Sequence, residues 1–155
     1  MTVPRVHEYL EENDVTYEVH THERAIPAHE VAHAEGVSGW DFAKSVILKL
    51  NGDLVMAVVP APVNVDLAKA RSVLGGGVRL AAESEFTGSF PGCETGAEPP
   101  FGNLYGMPVL LDRSMRERDR MVCRDCSHTE TLELAVDDYV RLVQPRIVDI
   151  ATEPH

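Results

Sequence analysis

Hydrophobic and polar residues alternate over several short stretches of this chain, and the alternation predicts its β-strands. Residues 15–20 place apolar and polar side chains in turn, which is typical of a half-buried strand. Residues 43–50 are followed by Asn51-Gly52 and by a second apolar run at residues 54–59. Asn-Gly between two apolar runs predicts a tight β-hairpin, because both residues tolerate positive φ. Further strands are predicted at residues 78–80, 107–111, 121–123, 131–134 and 147–150.

Apolar spacing and capping residues predict helices between these strands. Thr2 can cap a first helix that has Pro4 in its first turn and ends near Asn13. Three successive glycines at residues 75–77 end another helix that begins at Asp66. Further helices are predicted at residues 27–36, 83–86 and 136–143. These short mixed elements, without repeats or a linker, predict one α/β (mixed α+β) domain over residues 1–155, built on a mixed β-sheet that can close into a barrel.

Composition narrows the class of protein. The 155 residues are 44% hydrophobic, which suits one domain with a proper core. The formal net charge of −11 argues against a protein that coats nucleic acid or lies on an anionic membrane, but it is compatible with a local basic pocket for one phosphate. The N-terminus lacks the apolar core of a signal peptide, and no apolar run approaches ~18 residues. We therefore expect a soluble, cytoplasmic protein.

The stretch from Gly92 to Asn103 contains three glycines and the adjacent pair Pro99-Pro100. Glycine permits backbone angles that other residues avoid, and proline fixes φ and removes an N–H group. A loop with both residue types therefore has a defined shape, and its glycines allow a ligand to approach the backbone. We interpret it as the wall of a binding site; the alternative is a tight surface loop between a helix and a strand.

Lys44 is the most informative single residue of the predicted hairpin. Because alternate residues of a strand share a face, Lys44 lies in the row of Val46, Leu48 and Leu50. If this aliphatic row faces the core, the Lys44 ammonium points inward, where it is costly unless it meets an anion or several acceptors. Such a lysine suits a phosphate or a polarised carbonyl. The alternative is a lysine at the strand end whose ammonium reaches water.

The segment His29-Glu30-Val31-Ala32-His33 matches the H-E-x-x-H signature of zinc metalloproteases. In a helix, two histidines four residues apart share a face and can bind Zn²⁺, with the glutamate as base. The predicted helix is short, and neither the metzincin glycine and third histidine nor a carboxylate from a second long helix follows. A zinc hydrolase is therefore a remote alternative, and we expect no metal and no cofactor.

Cys123 and Cys126 form an isolated C-x-x-C pair. A structural zinc site needs a second pair of cysteines, and only the distant Cys93 remains. Three cysteines, an odd number, do not make a disulfide framework. The simplest interpretation is two buried thiols near a turn. Ser127 and His128 lie between two predicted strands, where a hydroxyl and an imidazole can bind a ligand. No acid is placed by the sequence to complete a Ser-His-Asp relay.

Three segments, in the same order along the chain, resemble the YbaK family of trans-acting aminoacyl-tRNA deacylases, which are related to the editing domain of bacterial prolyl-tRNA synthetase. Residues 43–49 resemble the lysine-bearing strand of that family. Residues 96–102 resemble its G-x-x-x-P loop in the P-P-F-G form, and residues 126–129 stand where many members have Gly-Ser/Thr-His. The similarity extends from about His20 to Ile150, nearly the whole chain.

The resemblance implies a single domain with a mixed β-sheet curved into a barrel and flanked by helices. It also implies hydrolysis of the ester that joins a wrong amino acid to the 3′-terminal adenosine of tRNA. Lys44 corresponds to the functional lysine, which is expected to bind the terminal nucleotide or the ester region. Cys126 departs from the family pattern, because it replaces the usual glycine and can narrow the pocket or alter the turn. The implied site residues are Lys44, Gly96 and His128 for catalysis, and Ala97, Glu98, Pro99, Pro100 and Ser127 for substrate binding.

We therefore expect a metal-independent deacylase that serves translation fidelity by acting on the acceptor end of aminoacyl-tRNA. An aminoacyl-tRNA synthetase is a candidate second partner, and we expect no contact with membranes or DNA. One alternative is a module of the same fold that binds a nucleotide or small ligand without turnover, which the Cys126 substitution keeps open. The other is the zinc hydrolase that uses His29, Glu30 and His33.

Overall fold

The computed structural model of the protein describes residues 6–21 and 38–153, which form mixed α/β structure as predicted. The strands are β1 (Tyr17–Thr21), β2 (Ala43–Leu50), β3 (Asp53–Pro60), β4 (Val78–Leu80), β5 (Val109–Asp112), β6 (Arg120–Arg124), β7 (Glu130–Ala135) and β8 (Arg146–Val148). The α-helices are α1 (Val6–Glu12), α2 (Leu67–Leu74), α3 (Glu83–Phe86), α4 (Arg113–Arg116) and α5 (Val136–Val143). The predicted helix at residues 27–36, with His29, Glu30 and His33, lies outside the described residues.

The predicted hairpin is confirmed as β2 and β3. Their antiparallel register runs from the pair Ala43↔Pro60 to the pair Leu50↔Asp53, so that Asn51 and Gly52 alone make the turn. Both turn residues have positive φ, 50° and 96°, as this two-residue connection requires. The second strand is buried from Val55 to Pro60, because it is covered on both faces.

The strands pair into two sheets. The five-stranded sheet has the order β4-β2-β3-β5-β8, with β5 parallel to both of its neighbours and the other pairs antiparallel. The three-stranded sheet has the order β1-β7-β6 and is antiparallel throughout. An isolated bridge between Phe42 and Val122 is the point at which strand pairing joins the two. Within residues 6–21 and 38–153 this pairing leaves two sheets rather than a closed barrel, and barrel closure stays a prediction.

Two hydrophobic clusters cover the opposite faces of the β2–β3 hairpin. Ile47 and Met56 face the larger cluster, together with the loop residue Phe101 and Tyr139 of α5. The alternate row, which includes Leu48, packs against α2 in the smaller cluster. Both rows of β2 therefore meet apolar side chains, and the aliphatic row that ends at Lys44 does face a core.

Capping residues explain where the helices begin and end. Asp66 accepts a hydrogen bond from the Lys69 N–H at the start of α2, and Gly75, with φ of 89°, ends the helix as predicted. The short helix α4 was not predicted; it begins at Asp112, whose carboxylate accepts a bond from the Ser114 N–H. In the part of the chain that the structure describes, no helix has the length and apolar character needed to cross a membrane.

Candidate active site

The glycine-proline loop, residues 92–103, packs against the turn that joins β6 to β7. The Glu94 N–H donates to the Cys126 carbonyl over 3.1 Å, and the Cys126 N–H donates to the Ala97 carbonyl over 3.0 Å. The inner half of the loop, from Ala97 to Pro100, is buried. Its end is anchored in the larger core, because the Tyr139 hydroxyl donates to the Pro100 carbonyl over 2.5 Å. The sequence therefore predicted correctly that this loop has a defined shape.

His128 is buried beneath the loop, and its two ring nitrogens are both hydrogen-bonded. The Arg124 guanidinium lies 2.8 Å from Nδ1, and because a guanidinium only donates, Nδ1 must accept. The other nitrogen, Nε2, then carries the proton and donates to the Thr95 carbonyl over 2.7 Å. The His128 backbone N–H donates to the Glu94 carboxylate over 3.3 Å. These contacts tie His128 to the loop at Glu94 and Thr95.

Gly96 lies directly over the His128 ring. Its φ of +89° is in the left-handed region that favours glycine. A Cβ atom at this position would lie 3.3 Å from His128 Cε1, which is tighter than most Cβ contacts. Two separate constraints, backbone conformation and close approach to a fixed imidazole, therefore require glycine here.

Glu98 carries a carboxylate that is only 9% exposed and sits inside the loop. One of its oxygens accepts a hydrogen bond from the Gly96 N–H over 3.2 Å. Among residues 6–21 and 38–153, no cation and no second donor contacts this carboxylate. Buried charges are normally paired, so this carboxylate has capacity for a cationic or hydroxyl-bearing ligand.

The loop also provides backbone donors. The N–H groups of Gly96 and Ala97 donate within the loop, to the carboxylate of Glu98 and to the carbonyl of Glu94. The N–H groups of Thr95 and Glu98 have no acceptor among the described residues. The loop therefore offers two N–H groups that are unpaired among the described residues, one on the residue before Gly96 and one on Glu98 itself.

Lys44 is half-buried and donates to two neutral acceptors. Its Nζ lies 2.5 Å from the Val63 carbonyl and 3.1 Å from Asn64 Oδ1. Burial lowers the pKa of the Lys44 ammonium, and no carboxylate of the described residues lies within ion-pair distance of it. The side chain opens onto a shallow groove of about 320 Å³ that is also lined by Leu80 and Phe86. In the described part of the chain, no hydrogen bond joins Lys44 to the loop or to His128.

Arg124 connects the strand that bears Lys44 with the loop, and sequence reasoning missed it. Its guanidinium lies 6.0 Å from the ring centroid of Phe42 and also contacts His128. Phe42 precedes Lys44 by two residues and is fully buried. Arg124 is itself only 6% exposed. The signal was the charged pair Arg124-Asp125 directly after the apolar run at residues 121–123, since adjacent charges at the end of a buried strand need partners.

Ser127 makes only local contacts in the described part of the chain. Its Oγ lies 2.9 Å from Thr129 Oγ1 and accepts a hydrogen bond from the Thr129 N–H over 3.1 Å. The residue is half-buried beside His128. The structure therefore brings His128 against the loop at Thr95 and Gly96, with Ser127 next to it in the chain, while Lys44 lines a separate groove.

The interpretation of Cys123 and Cys126 as a pair of buried thiols was wrong. Cys126 forms a disulfide with Cys93, 33 residues away, and Cys123 is a buried cysteine that takes no part in a disulfide. In a strand-to-turn segment, residues three apart need not face the same side, so the C-x-x-C spacing did not show this pairing. Cys126 has φ of +65°, a conformation that favours glycine, which is the residue that the family resemblance implies at this position.

One group of possible metal ligands occurs among the described residues, and it lies on the surface of the β1–β7 pair. His20 Nε2 is 3.2 Å from Glu133 Oε1 and 3.8 Å from Glu18 Oε2. The other oxygen of Glu133 accepts from Arg120 Nε over 3.1 Å. These contacts are those of an exposed ion-pair network, and none of the predicted site residues belongs to it.

Comparison with known sequences gives one family and a curated relative. The sequence profile of the aminoacyl-tRNA editing domain matches residues 22–142. The multifunctional Ser/Thr-tRNA deacylase ProXp-y of Escherichia coli (strain K12) is 26% identical over 154 residues, which cover 96% of this chain and 92% of that protein. The protein of the same name from Escherichia coli O157:H7 matches with the same values.

Solved structures share the fold. The hypothetical protein APE2540 superposes with a TM-score of 0.86 at 20% identity, over 96% of this chain and 100% of that chain. A proposed trans-editing enzyme for prolyl tRNA synthetase superposes with a TM-score of 0.82 at 21% identity, over 96% of both chains. At these identities the likeness concerns the fold.

Proposed function

The chain belongs to the aminoacyl-tRNA editing domain family, and we propose that it acts in trans as a deacylase of mischarged aminoacyl-tRNA. The reaction adds water to the ester at the tRNA 3′ end and releases a free amino acid and a free ribose hydroxyl. The observation that carries the proposal is the loop from Thr95 to Pro100, which is held by His128 and offers the nearly buried carboxylate of Glu98 and the N–H groups of Thr95 and Glu98, unpaired among the described residues. The likeness to a Ser/Thr-tRNA deacylase supports the same substrate class.

The loop backbone is proposed to bind the aminoacyl carbonyl. When water attacks the ester carbon, negative charge develops on the carbonyl oxygen, and preorganised N–H donors stabilise it. The N–H groups of Thr95 and Glu98 are available for this, and the N–H of Gly96 becomes available if Glu98 turns away from it. Because the loop is supported by His128 and Tyr139, these donors need little reorganisation when the substrate arrives.

Glu98 is proposed to bind the α-ammonium group that every aminoacyl-tRNA carries. Its carboxylate accepts the Gly96 N–H within the same loop, and in the described structure it lacks a cationic partner. An ammonium supplies both the charge and the hydrogen bonds that a nearly buried carboxylate needs. The same carboxylate can accept a bond from a side-chain hydroxyl, which fits a seryl or threonyl ester.

Lys44 is proposed to bind the phosphate of the terminal nucleotide. Its ammonium is held by two neutral oxygens, of Val63 and Asn64, and keeps one N–H for a ligand. A half-buried cation without a carboxylate partner attracts an anion more strongly than an exposed lysine does. This local charge is compatible with the net acidity of the chain if the protein contacts only the acceptor end of tRNA.

His128 is proposed to position the loop rather than to exchange protons with the substrate. Both of its nitrogens are already engaged, by Arg124 and by the Thr95 carbonyl. The attacking water is then activated by the substrate itself, through the neighbouring hydroxyl of the terminal ribose. No step of this scheme uses a metal ion. The proposed single domain over residues 1–155 carries every residue to which the scheme gives a role.

A hydrolysis screen tests the proposal. The purified protein is incubated with tRNAs charged separately with alanine, cysteine, serine and threonine, and released amino acid is measured against a protein-free control. We expect accelerated hydrolysis of at least one ester, with serine and threonine as the first candidates, and activity that survives dialysis against a chelator. Repeating the screen with prolyl-tRNA synthetase present tests the synthetase partner. Release no faster than the control for every tRNA contradicts the proposal.

A binding module without turnover is the second candidate function. The observation that favours it is the Gly96 N–H, which is already occupied by the Glu98 carboxylate. On this alternative, the protein binds an aminoacyl-adenosine analogue with a nonhydrolysable amide link but leaves every aminoacyl-tRNA intact. The zinc hydrolase alternative rests on His29, Glu30 and His33, and elemental analysis for one zinc per chain decides it.

A further inference from the structure

The disulfide between Cys93 and Cys126 joins the two segments that build the candidate site. Cys93 lies two residues before Thr95, and Cys126 lies two residues before His128. Their Cα atoms are 4.2 Å apart, and both residues are half-buried, so that a small thiol can reach the pair. The third cysteine, Cys123, is fully buried and stands apart from them.

The covalent link reinforces a small set of hydrogen bonds. On one side of it the Glu94 N–H donates to the Cys126 carbonyl, and on the other the Cys126 N–H donates to the Ala97 carbonyl. The bond from His128 to the Thr95 carbonyl closes the same ring of contacts. Gly96 lies inside this ring, so its position depends on whether the link is intact.

Cys126 also holds a backbone conformation that a side chain disfavours. Its φ of +65° is one that glycine adopts freely and that other residues seldom adopt. In the disulfide form the crosslink opposes any relaxation of this residue. Once the link is cut, the turn can move toward negative φ, and the hydrogen bonds to Glu94 and Ala97 move with it.

We propose that Cys93 and Cys126 are a thiol–disulfide exchange site, and that the disulfide form holds the loop from Gly96 to Pro100 in the geometry that supports deacylation. The consequence for activity rests on the proposed function; the exchange chemistry and the ordering of the loop do not. The exchange partners are small thiols and disulfides of the glutathione class.

The small thiols supply the two electrons that reduce the protein disulfide. A thiolate of the reductant attacks one sulfur of the disulfide, forms a mixed disulfide and expels the other cysteine as a thiolate, which takes up a proton. A second reductant thiolate then releases the remaining cysteine, so two reductant thiols become one disulfide. The Tyr105 hydroxyl lies 3.6 Å from the Cys126 sulfur and 3.9 Å from the Cys93 sulfur, where it can donate to the departing thiolate.

The test compares the full chain after equilibration with glutathione disulfide and after reduction with dithiothreitol. Alkylation under native conditions, followed by mass spectrometry, is expected to label Cys93 and Cys126 only in the reduced protein and Cys123 in neither. Amide hydrogen exchange within residues 96–101, at the four of them that are not proline, is expected to be faster in the reduced form. Deacylation by the disulfide form is expected to be about tenfold faster, because small misplacements of catalytic donors are costly.

Three variants serve as controls. Cys93→Ser and Cys126→Gly remove the pair, so their loop exchange and deacylation rates should not respond to reductant. Cys123→Ala should keep the full response, because this thiol is not part of the link. If neither the oxidised nor the reduced protein hydrolyses any aminoacyl-tRNA, the proposed deacylase activity is wrong. Amide hydrogen exchange within residues 96–101 then tests by itself whether the disulfide orders the loop. Equal loop exchange in the oxidised and reduced protein, or a pair that stays reduced in glutathione disulfide, overturns it.

Discussion

Replacing Gly96 with alanine tests the central feature of the site, the close contact between the loop and the His128 ring. At φ of +89° an alanine costs roughly 1–2 kcal/mol of backbone strain. Its Cβ would also lie 3.3 Å from His128 Cε1. The imidazole cannot retreat freely, because Thr95 and Arg124 hold its two nitrogens at 2.7 and 2.8 Å. The loop must therefore move instead.

Two measurements separate the effect of backbone strain at position 96 from the effect of displacing the loop. The strain alone lowers the melting temperature by about 2–8 °C for a domain of this size. Displacement of the loop by a few tenths of an ångström moves the N–H donors away from the carbonyl oxygen, and we expect kcat/KM for deacylation to fall by about tenfold. Both quantities are measured on the same preparation, by thermal melting and by release of amino acid from a mischarged tRNA.

Gly106→Ala is the matched control. Gly106 has φ of +73°, so an alanine there meets similar strain, but its Cβ would find nothing within 4 Å. It should lose similar stability and keep most of its activity. If Gly96→Ala is as active as Gly106→Ala, the contact between loop and ring has no catalytic consequence and the reasoning is refuted.

The remaining predictions concern the charged side chains of the site. Lys44→Ala should abolish deacylation with little change in melting temperature. The control is Lys69→Ala, which removes a surface cation from an ion pair with Asp149 and should leave the rate unchanged. Retained turnover by the Lys44 variant would show that Lys44 has no role in deacylation. Glu98→Gln should raise KM for the charged tRNA by about tenfold with a smaller effect on kcat. The variant loses the negative charge that attracts an ammonium group but keeps the shape of the side chain. An unchanged KM argues against ammonium binding. Arg124→Ala should lower the free energy of unfolding by about 1–3 kcal/mol in urea, because it leaves His128 Nδ1 buried without a donor. It should also speed amide exchange at residues 94–97. Unaltered exchange there would show that the loop does not depend on this bond.

Local elements of the fold were predictable because short-range chemistry sets them. The hairpin of β2 and β3 follows from Asn51-Gly52, whose positive φ values match a two-residue turn. The helix α2 follows from Asp66 at its start and Gly75 at its end. The helix α4 was missed because it depends on the cap that Asp112 provides at the end of a buried strand, and its four residues show no hydrophobic period.

Long-range pairings were not predictable from spacing. The parallel pairing of β3 with β5 brings Met56 beside Val109, and no pattern in either strand identifies the other. The disulfide of Cys93 and Cys126 likewise joins two loops that are separate in the chain. The role of Arg124 depends on three elements, because it contacts both Phe42 and His128 from the end of β6.

The sequence by itself determined the type of most elements, the family, and the location of the glycine-proline loop, because turn geometry and motif order are properties of neighbouring residues. Only the tertiary structure decided what the loop rests on. It placed His128 beneath Gly96 with both nitrogens engaged, enclosed the carboxylate of Glu98 and joined Cys93 to Cys126. The bond from His128 to the Thr95 carbonyl and the disulfide each join residues 33 positions apart. They exist because the two sheets pack together, and no short stretch of sequence carries that information.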